Sequence, residues 1–164
     1  TLSKGHDYIT VKEERTHIES YLEIQQFRYQ DILDYEIRMN EEIYGYIIPK
    51  LTLQPLVENA LYHGIKNKRG KGEILITGEK QGDKIIFQVV DNGKGMTEEE
   101  LNNLRKKMAG TDTGNEEKGF GVSNVNQRIK YYYGDEYGVF FESKENEGTN
   151  ATIIIAAKNI QPPS

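Results

Sequence analysis

The sequence contains no cysteine and no apolar run long enough to cross a membrane. Without cysteine, disulfides, thiolate zinc sites and cysteine nucleophiles are all excluded, and a cytosolic location is permitted. No secretory signal peptide is expected at the start of the given sequence, which contains no internal repeat and no low-complexity stretch. Because its first residue is Thr1 and not Met, we expect the chain to be a part of a longer protein.

Positive charge is in deficit. Lysine and arginine number 21 against 26 acidic residues, which gives a net charge of −5 at neutral pH. A surface that binds nucleic acid throughout is therefore not expected, because neutralising phosphates requires clustered positive charge. The 164 residues are 36% hydrophobic and 10% aromatic, enough to form the core of one domain.

Hydrophobic periodicity predicts an alternation of helices and strands. Capping boxes begin the first and third helices, at Thr10 and Thr97. Consecutive strands pair as hairpins at both ends, which favours a two-layer α/β sandwich with a mixed, mainly antiparallel sheet over a doubly wound parallel one. The predicted helices span about 10–30, 51–66, 97–108 and 122–133, and the strands about 34–39, 72–80, 84–90, 137–144 and 150–158.

A single carboxylate, Asp91, ends the most hydrophobic predicted strand, on the same face as Phe87 and Val89. Burying it is costly unless a hydrogen-bond donor meets it, and the amine of an aromatic base is a suitable donor. Gly93 and Gly95 would let the backbone approach that base and adopt positive φ. The alternative is an ordinary strand-to-helix turn, in which Asp-Asn-Gly is common.

Two glycines, Gly119 and Gly121, lie at the start of the fourth predicted helix. Such glycines expose backbone N–H groups at the positive end of the helix dipole, which favours phosphate, although a plain helix start is the alternative. The polar segment 109–118 before them is predicted to be a loop that closes over a ligand. Neither a Rossmann fingerprint nor a Walker phosphate loop is present, so a nucleotide would require a different architecture.

The second predicted helix carries polar side chains opposite its apolar face. Asn59 is on this stripe, and Glu58 lies about 100° around the helix from it. An amide oxygen there can bind Mg²⁺, which also retains waters and phosphate oxygens. Glu58 could orient or deprotonate a neighbouring group. The alternative is a solvated helix face, which is favoured for Glu58 taken alone.

In their order along the chain, these motifs resemble the ATP-binding domain of LytS-type sensor histidine kinases, within the GHKL superfamily of gyrase, a heat-shock chaperone and MutL proteins. The resemblance covers 49–158 and implies the Bergerat ATP-binding fold. Segment 21–29 is similar to the stretch between the phosphoacceptor helix and the ATP domain of such kinases. The matching motifs are an asparagine box at 56–64, glycine boxes at 91–95 and 119–125, and a closing Gly-Thr at 148–149.

The resemblance implies a kinase that binds ATP and Mg²⁺ and transfers the γ-phosphoryl group to a histidine on helices absent from this chain. Asp91 would accept the adenine amine with Thr149 nearby, Asn59 would hold the metal, and Glu58 and Asn59 would be the catalytic residues. The other positions implied to contact the nucleotide are His63, Gly93, Gly95, Met96, Gly119, Phe120, Gly121 and Val122.

The sequence departs from the family pattern in two places. Superfamily ATPases often carry a glutamate where this chain has Pro55. Activation of water for ATP hydrolysis is therefore not expected, whereas phosphoryl transfer to a partner histidine still is. The acceptor pattern Asn-Pro-His-Phe is absent, because His6, His17 and His63 have other neighbours. We therefore expect the following division: 1–33 as the end of the dimerisation and phosphoacceptor region, 34–160 as the ATPase domain, and 161–164 as a tail.

The partners implied are ATP, the histidine-bearing dimerisation helices of the same full-length kinase and a response regulator, with no nucleic acid and no membrane contact by this part. The full-length protein is expected to be a homodimeric, membrane-anchored sensor whose ATP domain is cytoplasmic, and this part alone is expected not to autophosphorylate. The alternatives are a nucleotide-responsive binding module without phosphotransfer and a GHKL-type serine kinase, against which the helical segment 21–29 argues.

Overall fold

A computed structural model describes residues 7–29, 32–65, 70–110 and 120–160. Most of the backbone in these ranges forms strands or helices. The strands are β1 (Tyr8–Thr10), β2 (Leu33–Met39), β3 (Ile47–Pro49), β4 (Gly72–Gln81), β5 (Lys84–Asp91), β6 (Gly138–Lys144) and β7 (Gly148–Ala156). The helices are α1 (Val11–Arg28), α2 (Gln54–Asn59), α3 (Glu98–Met108) and α4 (Phe120–Tyr133).

The main sheet has five strands in the order β2-β4-β5-β7-β6. Strands β2 and β4 are parallel, and every other neighbouring pair is antiparallel. The prediction of a mixed, mainly antiparallel sheet is thus confirmed. Strand β5 is central, as its apolar composition predicts, and the side chains of Ile85, Phe87 and Val89 on its inner face are buried.

The helices cover one face of the sheet. Along β4, β5 and β7, buried side chains alternate with more exposed ones, so that Ile74, Phe87 and Ile153 point into one core while their neighbours point to the other face. Helix α1 belongs to the same core, because Ile18 and Leu22 are completely buried. The predicted two-layer α/β sandwich is confirmed.

Local sequence signals fix where two helices begin. The Thr10 hydroxyl accepts a hydrogen bond from the Glu13 N–H at 3.1 Å, and the Thr97 hydroxyl accepts one from the Glu100 N–H at 3.1 Å. In both boxes the glutamate side chain accepts a hydrogen bond from the backbone N–H of the threonine. Both predicted capping boxes are therefore confirmed.

The second predicted helix differs from the prediction of one regular helix over 51–66. It begins as α2 at Gln54, where Pro55 suits the first turn, and continues from Ala60 to Ile65 as a π-helical turn. Strands β1 and β3, which form a separate two-stranded sheet, were also not predicted. They have three residues each, too few to show a periodic pattern.

Two sequence-based predictions fall partly or wholly outside the described residues. Of the predicted loop 109–118, the structure describes only Ala109 and Gly110, and the predicted tail 161–164 is not described. In the part of the chain that is described, no helix is both long and apolar enough to cross a membrane.

Candidate functional site

Strand β5 delivers Asp91 to a buried position at its end, where the residue is 6% exposed. Loss of contact with water raises the pKa of the Asp91 carboxyl to about 6, and hydrogen bonds from the backbone N–H groups of Gly93 and Thr149 act in the opposite direction. The Gly93 N–H lies 2.8 Å from Oδ1. Because a carboxylate can accept more than two hydrogen bonds, Asp91 can still accept one from a ligand.

The space around Asp91 exists because its neighbours lack side chains. A Cβ atom on Gly64, in the π-helical turn, would lie 2.7 Å from Asp91 Oδ1, and one on Gly148 would lie 2.0 Å from the Asp91 carbonyl oxygen. Gly93 packs against the backbone of Gly64, where a Cβ would approach the carbonyl carbon to 2.3 Å. Any side chain at these positions would displace the carboxylate or the loop that follows it.

The two glycines after Asp91 are needed for different reasons. Gly95 has a φ of +66°, as predicted, and a Cβ there would lie 1.9 Å from the Lys144 carbonyl oxygen. Gly93 was also predicted to adopt positive φ, and this is wrong, because no positive φ occurs there. What requires glycine at position 93 is the close approach of the Gly64 backbone, a tertiary contact that local sequence does not reveal.

A serine on β6 contacts the loop after β5 and the start of β7. The Ser143 hydroxyl on β6 accepts a hydrogen bond from the Met96 N–H at 2.9 Å. The same oxygen lies 2.9 Å from the Gly148 carbonyl oxygen and 2.8 Å from the Thr149 hydroxyl. Since a serine hydroxyl has one proton, donating it to Gly148 leaves Thr149 as the donor to Ser143, and the remaining lone pairs of Thr149 are then available as acceptors.

The side chains of Asn59 and Asp91 line one cavity of about 300 Å³. Asn59 is the last residue of α2 and is half-buried. Helix α2, the end of β5 and the loop after it thus meet at one cavity. The sequence predicts this meeting for Asn59 and Asp91. Of the predicted site residues, the cavity is lined by Asn59, His63, Asp91, Gly95, Met96 and Thr149.

Other predicted residues lie elsewhere. Glu58 is exposed, and its Oε1 accepts a hydrogen bond from Gln54 Nε2 at 3.3 Å. Val122 is buried in the core. Gly93 does not line the cavity and packs against the backbone of Gly64. Gly121 is exposed in the first turn of α4, and Phe120 begins that helix. Gly119 lies outside the described residues.

Helix α3 supplies cavity residues that the sequence analysis missed. Glu100, Asn103, Leu104 and Lys107 recur at intervals of three and four and therefore share one helical face. This spacing is visible in the sequence, but the same helix also has an apolar stripe facing the core, and the sequence does not show that its neighbouring face borders a cavity. Gly64 and Lys94 complete the lining.

Residues 49–159 match the family described as histidine kinase-, DNA gyrase B-, and HSP90-like ATPase. The chain belongs to this ATPase family. The family match covers α2, the Asp91 loop and all of the cavity-lining residues. The resemblance identified from the sequence is confirmed.

Among its relatives, the chain is 33% identical to the sensor protein LytS of Bacillus anthracis over 151 residues and 32% identical to the sensor histidine kinase YesM of Bacillus subtilis over 153 residues. These alignments cover 92% and 93% of this chain and 25% of each relative. The chain therefore spans about a quarter of the length of these relatives.

Solved structures with the same fold include the catalytic domain of the histidine kinase ThkA, with a TM-score of 0.68 at 18% identity over 92% of this chain and 95% of that one. The structure of ThkA in complex with the response regulator protein TrrA matches with a TM-score of 0.65 at 19% identity, over 92% of this chain and 41% of that one. At this level of identity the likeness shows the fold, which is the predicted ATP-binding sandwich.

Proposed function

We propose that this chain is the ATP-binding catalytic part of a two-component sensor histidine kinase and that its cavity binds ATP together with Mg²⁺. Membership of the ATPase family and the likeness to sensor kinases support this proposal. The observation that carries it is the placement of a buried acceptor, Asp91, and an amide, Asn59, on one cavity.

Asp91 and Thr149 are proposed to recognise the base. Adenine presents an amine at the position where guanine presents a carbonyl oxygen. A buried carboxylate can accept a hydrogen bond from the amine but would face the carbonyl oxygen of guanine as a second acceptor without a proton between them. The site is therefore expected to select adenine over guanine.

Asn59 is proposed to bind Mg²⁺ at the phosphate end of the ligand. Within the described ranges there is no group of three or more histidine, aspartate or glutamate residues that could hold a metal ion. A neutral amide oxygen suits an ion that takes its remaining ligands from phosphate oxygens and water. Lys94 and Lys107 also line the cavity and bring positive charge to the triphosphate.

The proposed reaction is transfer of the γ-phosphoryl group to an imidazole nitrogen of a histidine outside this chain. The bond from phosphorus to the ADP oxygen breaks as a phosphorus–nitrogen bond forms, so positioning and charge neutralisation are the main requirements. Pro55, at the position where superfamily ATPases carry a glutamate, cannot activate water. Glu58 is exposed on α2 and does not line the cavity. We therefore propose that it orients or deprotonates the incoming histidine and does not contact ATP.

The remaining partners and the organisation of the whole protein are part of this proposal. Residues 1–33 would end the dimerisation and phosphoacceptor region, and 34–160 would form the ATPase domain. The phosphorylated histidine would pass its phosphoryl group to a response regulator. The whole protein would be a homodimer anchored to a membrane, with this part in the cytoplasm.

Phosphotransfer in trans tests the proposal. The histidine-bearing helices encoded upstream in the parent protein are mixed with this chain and ATP labelled at the γ-phosphate. Label on the helices with wild-type chain, none with Asn59→Ala, and weaker label with Glu58→Gln at unchanged ATP affinity would support it. Tight ATP binding without any label on the helices would instead identify a nucleotide-responsive binding module.

A further inference from the structure

Helix α1 contributes a completely buried carboxylate that the proposed mechanism does not use. Among the described residues, only Glu14 and Asp91 are buried acids. Glu14 Oε2 accepts hydrogen bonds from the backbone N–H groups of Leu53, at 2.8 Å, and Gln54, at 3.4 Å. These two residues lie 39 and 40 positions further along the chain, where α2 begins. The carboxylate thus joins the N-terminus of α2 to α1.

Glu14 takes the place of a cap that α2 lacks. The N-cap residue of α2 is Leu53, whose side chain cannot accept a hydrogen bond, and no side chain of its own segment caps the helix. Burial raises the pKa of the Glu14 carboxyl, and the backbone N–H groups of Leu53, Gln54 and Leu51 act in the opposite direction with a smaller effect. Two backbone N–H groups at the start of α2 therefore donate to one oxygen of a side chain from another helix, while the other oxygen, Oε1, is buried without a hydrogen-bond partner.

The backbone immediately before α2 has an unusual conformation. Leu51 has a φ of +61°, a conformation that a branched, non-glycine residue rarely adopts. Backbone turns in which left-handed and right-handed helical residues follow each other direct successive N–H groups into one concavity that binds anions. Leu51 lies two residues before Leu53, the first of the two backbone donors to Glu14, so its positive φ falls where such a turn would direct N–H groups at the carboxylate.

Helix α2 is short, so the contact with Glu14 at its start lies close to the cavity at its end. Helix α2 has six residues, from Gln54 at the Glu14 end to Asn59 at the cavity, which is about 8 Å along the helix axis. So short a helix is not stable alone, and its position depends on its tertiary contacts, which are the burial of Leu56 and Val57 and the hydrogen bonds to Glu14 at its first turn. Ile18 and Leu22, one and two turns after Glu14 on the same face of α1, are completely buried and fix α1 in the core.

We propose that Glu14 is a positioning residue, which caps α2 from helix α1 and thereby holds Asn59 in place for Mg²⁺ and the phosphates of ATP. This inference rests on the proposed function of Asn59. It makes the position of α1 a determinant of nucleotide binding, although α1 does not line the cavity. A displacement of α1 would weaken binding of the phosphates without changing recognition of the base.

Titration calorimetry of four variants with Mg-ATP and with adenosine tests this inference. Glu14→Ala should weaken Mg-ATP binding by about tenfold, a loss typical of residues that orient a metal ligand, and should change adenosine binding by less than about twofold. Glu14→Gln keeps an acceptor oxygen and should recover most of the Mg-ATP affinity. Glu13→Ala, which removes the capping box of α1 and leaves α2 untouched, is the matched control and should bind both ligands as the wild type does.

The Asn59→Ala variant distinguishes a failure of the Glu14 inference from a failure of the proposed function. If Asn59→Ala loses Mg-ATP affinity and Glu14→Ala does not, the role of Glu14 is refuted and the proposed function stands. If neither variant changes Mg-ATP binding, the proposed function is refuted as well. Equal losses of adenosine and Mg-ATP affinity in Glu14→Ala would indicate a purely structural role. If Glu14→Ala does not fold, the Glu14→Gln variant decides. Amide hydrogen exchange then measures the protection of the Leu53 and Gln54 N–H groups in that variant. Unchanged protection together with reduced Mg-ATP affinity would contradict the inference.

Discussion

At the residue scale, Asp91 departs from the chemistry of an ordinary carboxylate, because burying its charge lowers the stability of the fold. Its pKa is about 6 in the folded chain and 3.8 when unperturbed. Between these values the folded state binds more protons than the unfolded state, so this group makes stability fall as pH rises. The full difference corresponds to about 3 kcal/mol of unfolding free energy.

Replacing Asp91 with asparagine should therefore stabilise the protein and impair binding. The difference in unfolding free energy between Asp91→Asn and the wild type should grow in favour of the variant as pH rises from 4 to 7. The growth is up to about 3 kcal/mol, because the amide has no charge to bury. Urea denaturation of both proteins at several pH values measures this difference. ATP affinity should fall at the same time, since the amide is a weaker acceptor than the carboxylate. A constant stability difference across this pH range would contradict the assignment.

Ser143 is predicted to act on ATP binding through Met96 and Thr149, which line the cavity. Its replacement by alanine removes the hydroxyl that holds both groups, and we expect ATP affinity to fall about fivefold, or roughly 1 kcal/mol, as for the loss of one hydrogen bond. Calorimetry with ATP measures the effect. Ser20→Ala, at an exposed position on α1, is the control, and equal affinities of the two variants would show that the Ser143 contacts do not matter for binding.

At the scale of elements, the π-helical turn is what brings α2 and the Asp91 loop together. Gly64 in this turn approaches the Asp91 carboxylate, and its carbonyl oxygen accepts a hydrogen bond from the Lys94 N–H at 3.3 Å. Such turns occur mostly at functional sites, where the wider coil changes the direction of side chains. The turn, the loop and the β6–β7 hairpin hold one another in place.

The variant Gly64→Ala should disrupt this packing. Its Cβ would lie 2.7 Å from Asp91 Oδ1, so either the carboxylate or the turn must move, and we expect a loss of about 1–3 kcal/mol of unfolding free energy together with most of the ATP affinity. Gly45→Ala is the matched control, because no atom lies within 4 Å of its added Cβ. Thermal denaturation and calorimetry compare the two, and an ATP affinity equal to that of Gly45→Ala would refute the role given to Gly64.

Prediction from the sequence succeeds for elements whose signals are local and fails where contacts are tertiary. Capping boxes locate the starts of α1 and α3, and alternation locates the central strand β5. The π-helical turn instead depends on packing between Gly64 and Gly93, which are distant in sequence. The cap of α2 by Glu14 is of the same kind.

At the scale of the whole molecule, the cavity depends on elements that are far apart in the sequence. Its lining comes from α2 and the π-helical turn, the end of β5 with the loop after it, α3, and β7. Asn59, Asp91 and Thr149 could be predicted because their motifs resemble those of a known family. Lys107 and the rest of the α3 face could not, because only the folded chain shows which helical face borders the cavity.

The central claim is that this one cavity binds ATP through Asp91 and through a Mg²⁺ ion held by Asn59. Titration calorimetry of ATP with and without Mg²⁺, on the wild type and on Asn59→Ala, tests it most directly. We expect Mg²⁺ to strengthen ATP binding to the wild type and to have no effect on ATP binding to the variant, while both proteins bind adenosine equally well. An equal gain from Mg²⁺ in the two proteins would contradict it.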